Sequence, residues 1–170
     1  MIIRTGTEAD YRLLDEIEAR SDRTFLRLPG FESVIDEPRM AGDLGPDRYP
    51  GAALFIAEDE KPIGFAYIRD LDDCTFVTQI SVVPEAQGKG TGTALLEAAT
   101  AVAKQSNKRG LTLTTFKDVP WNAPYYARRG FHILDDTEMG PDLAAYFVSD
   151  VARCSRYGAR CAMGLFFGSS

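Results

Sequence analysis

Histidine, tryptophan and cysteine are scarce in this chain of 170 residues, which has one histidine, His132, one tryptophan and three cysteines. With so few soft ligands, and no C-x-x-C spacing among Cys74, Cys154 and Cys161, a zinc site is excluded and no metal is expected. A disulfide framework is not needed either, because a chain of this length buries about 70% of the surface that its unfolded form exposes. The cysteines read as free buried thiols of a reducing compartment. No apolar run approaches the roughly 18 residues of a membrane span, and the opening MIIRTGTEADYRLLDEIEAR meets a charge at Arg4 before any apolar leader forms. A cytoplasmic protein without membrane contact is the expectation. Positive charge is short as well: 19 Lys and Arg stand against 25 Asp and Glu, for a net charge of −6. That balance excludes the basic face that nucleic acid requires and leaves room for a cationic small molecule.

What is present is an alternation of strand-like and helix-like runs. Residues 1–7 read as a strand, and Thr7 with Asp10 three residues on forms a capping-box pattern ahead of Leu13, Leu14 and Ile17 at helical spacing. Residues 21–50 are broken by Pro29, Gly30, Pro38, Gly42, Gly45 and Pro46, which predicts one short helix and long loops. Residues 52–59 and 63–71 form a hairpin around EKP, and 74–83 is a third run ended by Pro84. A helix follows from about Thr91 to Asn107, with Lys104 and Lys108 at its negative end and Gly110 as its stop. Strand 111–116, a short helix from Asn122 and Pro124 to Gly130, strand 131–136, helix 141–158 and strand 160–167 complete the chain. The fold class is α/β, in a single domain over 1–170 without repeats or linkers. The Phe166-Phe167 end either packs on a partner subunit or closes the chain's own core, and the final Gly168-Ser169-Ser170 is left unassigned.

The densest signal is VVPEAQGKGTGTALLEAA, residues 82–99. A strand stops, three alternating glycines follow, and an amphipathic helix begins; the unpaired N–H groups and positive dipole end of such a helix start suit a phosphate. A P-loop needs G-x-x-x-x-G-K-[ST], but Gly90 follows Lys89, so no hydroxyl is placed for magnesium. A dinucleotide fingerprint needs a sixth-position glycine and a later acid, where this chain has Thr93 and NKRGL. The pattern that does hold is Q/R-x-x-G-x-G/A, with Gln87, Gly90 and Gly92. Gly88, Lys89, Thr91 and Thr93 complete a run whose backbone N–H groups can bind a diphosphate without a cationic side chain.

This stretch, followed by NAPYYARRGF at residues 122–131, resembles the coenzyme A loop and asparagine-tyrosine segment of the GNAT superfamily of N-acetyltransferases. The resemblance is strongest over residues 74–135. It implies a mixed, mostly antiparallel twisted sheet of six to seven strands with helices on both faces, whose fourth and fifth strands splay to admit acetyl-CoA. It further implies that backbone groups near Ile80, Val82 and Val83 pair with the pantetheine arm and polarise the thioester carbonyl. It makes Tyr126 both a cofactor contact and the general acid for the leaving thiolate. The bland reading of Tyr126 is a core aromatic with a wet tip.

Asn122 either bonds the cofactor or caps its helix, and His132 reads as structural. The family's fourth-strand glutamate is replaced by Thr78 and Gln79, neither of which accepts a proton at neutral pH. The base is then a water chain or a carboxylate elsewhere, with Asp36 and Glu37 as candidates. Residues 21–50 are read as the acceptor side, where Phe31, Asp36, Glu37 and Gln79 meet the substrate, and Asp36, Glu37, Asp43 and Asp47 favour a cationic amine. The expected function is acetyl transfer from acetyl-CoA to a small-molecule or peptide amine by direct attack. The alternative is a non-catalytic acyl-CoA-binding module. A homodimer is a further expectation of the resemblance.

Overall fold

A computed structural model describes residues 1–168; the serines of the unassigned Gly-Ser-Ser end lie outside the described residues. Seven strands form one sheet in the order β1-β2-β3-β4-β5-β7-β6. They are β1 Ile2–Thr5, β2 Ala53–Asp59, β3 Lys61–Leu71, β4 Cys74–Val82, β5 Gly110–Phe116, β6 His132–Ile133 and β7 Arg160–Phe166. The helices are α1 Tyr11–Asp22, α2 Thr91–Gln105, α3 Ala123–Ala127 and α4 Pro141–Cys154. Pairing is antiparallel except for β4 with β5, which run parallel at Thr75↔Leu111 and Phe76↔Thr112. The chain divides into two compact units, one of residues 1–69 and 77–101, the other of 70–76 and 102 onward.

In the first unit the core is made by Leu14 and Ile17 of α1, Leu54 and Ile56 of β2, Phe65 and Tyr67 of β3, and Val83 and Leu95 around the β4-to-α2 turn. Each such side chain stabilises by about 1.5–3 kcal/mol when fully buried. The start of α1 is fixed by charge as well as by packing. Asp10 accepts the Thr7 N–H (2.7 Å) and hydroxyl (2.8 Å), and Arg4 grips the same carboxylate at 2.8 and 2.9 Å while reaching Glu58 at 2.8 Å. Where one short helix was expected within residues 21–50, three 3₁₀ helices form, Arg23–Arg27, Val34–Asp36 and Met40–Asp43, and the prolines and glycines between them keep any from propagating as an α-helix.

In the second unit Phe76, Leu134, Leu143 and Ala162 form the core, with Tyr146, Phe147 and Phe166 against them. Phe166 thus closes the core of its own unit, and Arg109 lies 4.1 Å over its ring. Asp72 caps α4 from seventy residues away by accepting the N–H groups of Asp142 (3.0 Å) and Leu143 (2.9 Å). Gly110 does not stop α2. Asn107, at φ 52°, takes the left-handed position, whereas Gly110 opens β5, where a Cβ would run into the Leu165 carbonyl of the paired strand. Strand β6 is two residues long instead of six, since Asp135 turns the chain by accepting from the Thr137 hydroxyl and from the N–H groups of Thr137 and Glu138. Helix α4 ends at Cys154, where Tyr157 closes a turn onto the Cys154 carbonyl at 3.0 Å.

Candidate active site

Strand β4 delivers the chain to its glycine loop under tight control. Val83 is fully buried, and its N–H donates to the Ile63 carbonyl at 2.9 Å, so its backbone donor is committed to β3. Ile80 and Val82 are half-buried against the same core. The Gln87 side chain turns inward and donates to the Val82 carbonyl (2.8 Å) and the Thr24 hydroxyl (3.2 Å), which makes it a brace for the loop. The buried Thr91 hydroxyl donates to the Ala86 carbonyl at 3.0 Å and ties the start of α2 to the same turn.

Between these two anchors the backbone opens outward. Gly88 and Gly90 sit at φ 71° and 85°, a region that side-chain-bearing residues avoid, and a Cβ at either would meet nothing within 4 Å. Their glycine requirement is therefore conformational, not a matter of internal packing. Ala94 makes the first bond of α2, to the Gly90 carbonyl at 2.9 Å, which leaves the N–H groups of Gly90, Thr91 and Gly92 ahead of the helical ladder. Lys89 is exposed beside them. An open surface, glycine backbone and a fifteen-residue helix at its positive end fit a diphosphate.

On the same strand, Gln79 donates to Glu18 Oε1 (3.1 Å) and to the Ser81 hydroxyl (3.0 Å). Glu18, buried on α1, also accepts the N–H groups of Met40 (3.3 Å) and Ala41 (2.7 Å). Burial raises the pKa of Glu18, against the pull of those two N–H groups. One helical turn on, half-buried Asp22 is pushed up to about 7, first by desolvation and then by the like charge of Glu18. Sequence reasoning missed this pair. The signal was there: Glu18 falls in the stripe of Leu14 and Ile17, where a solvated carboxylate does not belong.

The other acceptor-side candidates are placed differently. Phe31 is buried and stacks on Phe25 with centroids 5.3 Å apart, Asp36, Asp43 and Asp47 are exposed, and Glu37 is half-buried. The second unit carries Asn122 and Tyr126. Asn122 makes no side-chain cap, so the capping alternative is not what the structure shows. Tyr126 is buried between Tyr125 (5.2 Å) and Phe131 (5.7 Å) in edge-on contacts. Burial raises its phenol well above the ordinary value. His132 is exposed, bonded to Glu138 at 2.9 Å and edge-on to Phe166. Burial pushes the thiols of Cys74 up to about 12 and Cys161 up to about 11, so neither is a nucleophile at neutral pH.

A model of the Acetyltransferase (GNAT) family matches residues 14–131, well over half of the chain. The chain belongs to the GNAT acetyltransferase family. The match takes in α1 from Leu14 onward, strand β4, the glycine loop and Tyr126, and acyl transfer is the chemistry that membership supports. Solved GNAT structures share the fold at low identity. The PaiA N-acetyltransferase of Thermoplasma acidophilum, crystallised with coenzyme A, is 17% identical with a TM-score of 0.70, covering 98% of each chain. A GNAT-family acetyltransferase of Staphylococcus aureus Mu50 is 12% identical with a TM-score of 0.69, over 98% of this chain and 99% of that one. The Escherichia coli N-acetyltransferase of a ribosomal-protein alanine is 19% identical with a TM-score of 0.62, over 99% of this chain and 95% of that one. No helix of this GNAT protein is long and apolar enough to cross a membrane, among the described residues.

Proposed function

We propose that the whole chain is one cytoplasmic N-acetyltransferase domain that moves the acetyl group of acetyl-CoA to the amine of a small molecule or peptide. The observation that carries this reading is the loop at residues 87–93: two left-handed glycines open to solvent at a helix start, in a chain of an acetyltransferase family. The coenzyme A bound to the Thermoplasma relative supports the same cosubstrate.

In this reading the N–H groups from Gly88 to Thr93 hold the diphosphate, with Lys89 beside it, and Gln87 serves by bracing the loop. The pantetheine arm runs along Ile80 and Val82, Val83 anchors that strand end in the core, and Asn122 lies along the cofactor. The amine attacks the thioester carbonyl carbon, a tetrahedral intermediate forms, and the C–S bond breaks. Tyr126 gives its proton to the departing thiolate; its raised pKa keeps that proton in place at neutral pH. Direct attack is supported by the raised pKa values of Cys74 and Cys161, which disfavour an acyl-cysteine. The acceptor approaches the 21–50 side, where Phe31 holds the segment's packing and Asp36 and Glu37 favour a cationic amine. Calorimetry with acetyl-CoA, paired with thiol release over a panel of amines, tests the proposal.

A second reading, a non-catalytic acyl-CoA-binding module, is favoured by one observation. Thr78 and Gln79 stand on β4 where a carboxylate would serve as base. Tight acetyl-CoA binding with no thiol release for any amine would select it.

A further inference from the structure

We propose that the second unit binds one internal water, held by the Thr112 hydroxyl on β5 and by the carboxylates of Asp72 and Asp73, and that this water ties the β3–β4 turn to the sheet. The cavity lies at the start of α4, between that turn and Thr112, and leaves about 10 Å³ for the centre of a water molecule, room for a single one. Every residue that lines it belongs to the second unit.

Thr112 pairs with Phe76 on β4 and with Gly164 on β7, so its side chain stands on the face that Phe76 turns to Leu143 of α4. The residue is 3% exposed, it lines the cavity, and its hydroxyl has no hydrogen-bond partner among the described residues. Folded proteins rarely leave such a group unmatched, because its hydration is lost and nothing replaces it.

The facing wall supplies acceptors. Asp72 spends one lone pair of each oxygen on the N–H groups of Asp142 (3.0 Å) and Leu143 (2.9 Å) and keeps another on each. Asp73 accepts the weak thiol donor of Cys74 at 3.4 Å, and Arg109 stands 3.8 Å from its other oxygen, beyond hydrogen-bond range. That guanidinium is stacked over Phe166 instead. Ionised carboxylates accept and cannot donate, which fixes the direction of each bond. Thr112 gives its O–H to the water oxygen, and the water gives its two protons to Asp72 and Asp73.

Other species of this size fit less well. Chloride is repelled by Asp72, Asp73 and Glu138, which all line the cavity. A metal ion finds no group of three His, Cys, Asp or Glu able to hold it among the described residues. An ammonium has no lone pair for the Thr112 proton. The bridge also lies where the sheet is thinnest in contacts, since β4 and β5 pair at two positions and Thr112 stands at one of them.

Thr112→Val keeps the shape of the side chain and removes the hydroxyl, so the sign of its effect is diagnostic. With the water bound, the variant loses a bridge and should melt roughly 2–4 °C lower than the parent. With the hydroxyl merely unmatched, it should melt higher, because a buried polar group has been removed. Oxygen-17 magnetic relaxation dispersion on the full chain counts long-lived internal waters; the count should fall by one in Thr112→Val and hold in Thr112→Ser, which keeps the hydroxyl. A crystal structure of the parent should place one oxygen within hydrogen-bond distance of Thr112 Oγ1 and of Asp72 or Asp73. An unchanged count in Thr112→Val, a higher Tm in that variant, or no such oxygen in the crystal overturns the proposal. A parental Tm that rises with ammonium chloride and not with sodium chloride overturns it too, giving the site to an ammonium. Should the valine variant fail to fold, the water count of Thr112→Ser and the parent's crystal structure still decide.

Discussion

Replacing Gly88 with alanine separates the conformational demand of the glycine loop from its demand for open space. The residue sits at φ 71° with nothing within 4 Å of a built Cβ, so the added methyl strikes no protein atom. Its cost is the left-handed backbone, roughly 1–2 kcal/mol, partly offset by about 0.4–1 kcal/mol of entropy removed from the unfolded chain. The net is about 1 kcal/mol, or about 2–4 °C in Tm for a domain of this size. Gly51 supplies a matched control: φ 73°, nothing within 4 Å, and a loop in the other part of the same unit. Both alanine variants should melt lower by that similar amount. They should part in binding. At Gly88 the methyl occupies the ground proposed for the diphosphate and disturbs one N–H donor, worth about 1.5–3 kcal/mol to a charged acceptor, so acetyl-CoA affinity should fall by roughly 10- to 100-fold. Gly51→Ala should keep parental affinity. Differential scanning calorimetry and titration calorimetry read the two effects separately. Equal acetyl-CoA affinity in the two variants would refute the reasoning, since it would leave the loop a turn and nothing more.

Tyr126→Phe removes only a hydroxyl, so acetyl-CoA affinity should hold while kcat drops by about 10²- to 10⁴-fold; near-parental turnover would return Tyr126 to the core. Because burial raises its phenol, no alkaline loss of rate assignable to Tyr126 should appear below about pH 10 in a parental pH profile. Asp10 is held well below the usual carboxylate range, chiefly by Arg4, so its stabilisation is present above about pH 4 and lost as pH falls through the lower folded value. Asp10→Asn should cost about 1.5–3 kcal/mol at pH 7 in urea denaturation and flatten the acid side of the stability curve. Asp150 is 1% exposed and holds Arg160, itself 10% exposed, at 2.7 Å; Asp150→Ala strands that guanidinium and should cost about 3–5 kcal/mol in the same assay.

What the sequence revealed and what it concealed divide along physical lines. Strands β2 to β5 were legible because β-branched and aromatic runs are bounded by turn residues, and the loop at 87–93 because alternating glycines between strand and helix have few other uses. The ends of elements were less so. Gly110 has the composition of a helix stop, but its role is set by the Leu165 carbonyl of a strand fifty-five residues away, which no local pattern encodes. The α4 cap was hidden for the same reason, as its donor groups meet Asp72 only through the fold. The carboxylates of α1 were hidden differently. Asp36, Glu37, Asp43 and Asp47 drew attention by crowding a loop, yet three of them point to solvent, whereas Glu18 and Asp22 sat inside an ordinary-looking amphipathic helix. Their spacing to Leu14 and Ile17 places them on the inner face, and only the contacts of Met40, Ala41 and Gln79 show what Glu18 holds together there.

The central claim, acetyl transfer to an amine, is tested most directly by incubating the protein with acetyl-CoA and an amine panel weighted toward cations, and following both products. Free thiol should appear in equal amount to an acetylated amine identified by mass spectrometry, cationic acceptors should lead, and added salt should slow them. Acetyl-CoA that binds but yields neither product with any amine would contradict the account and leave a binding module in its place.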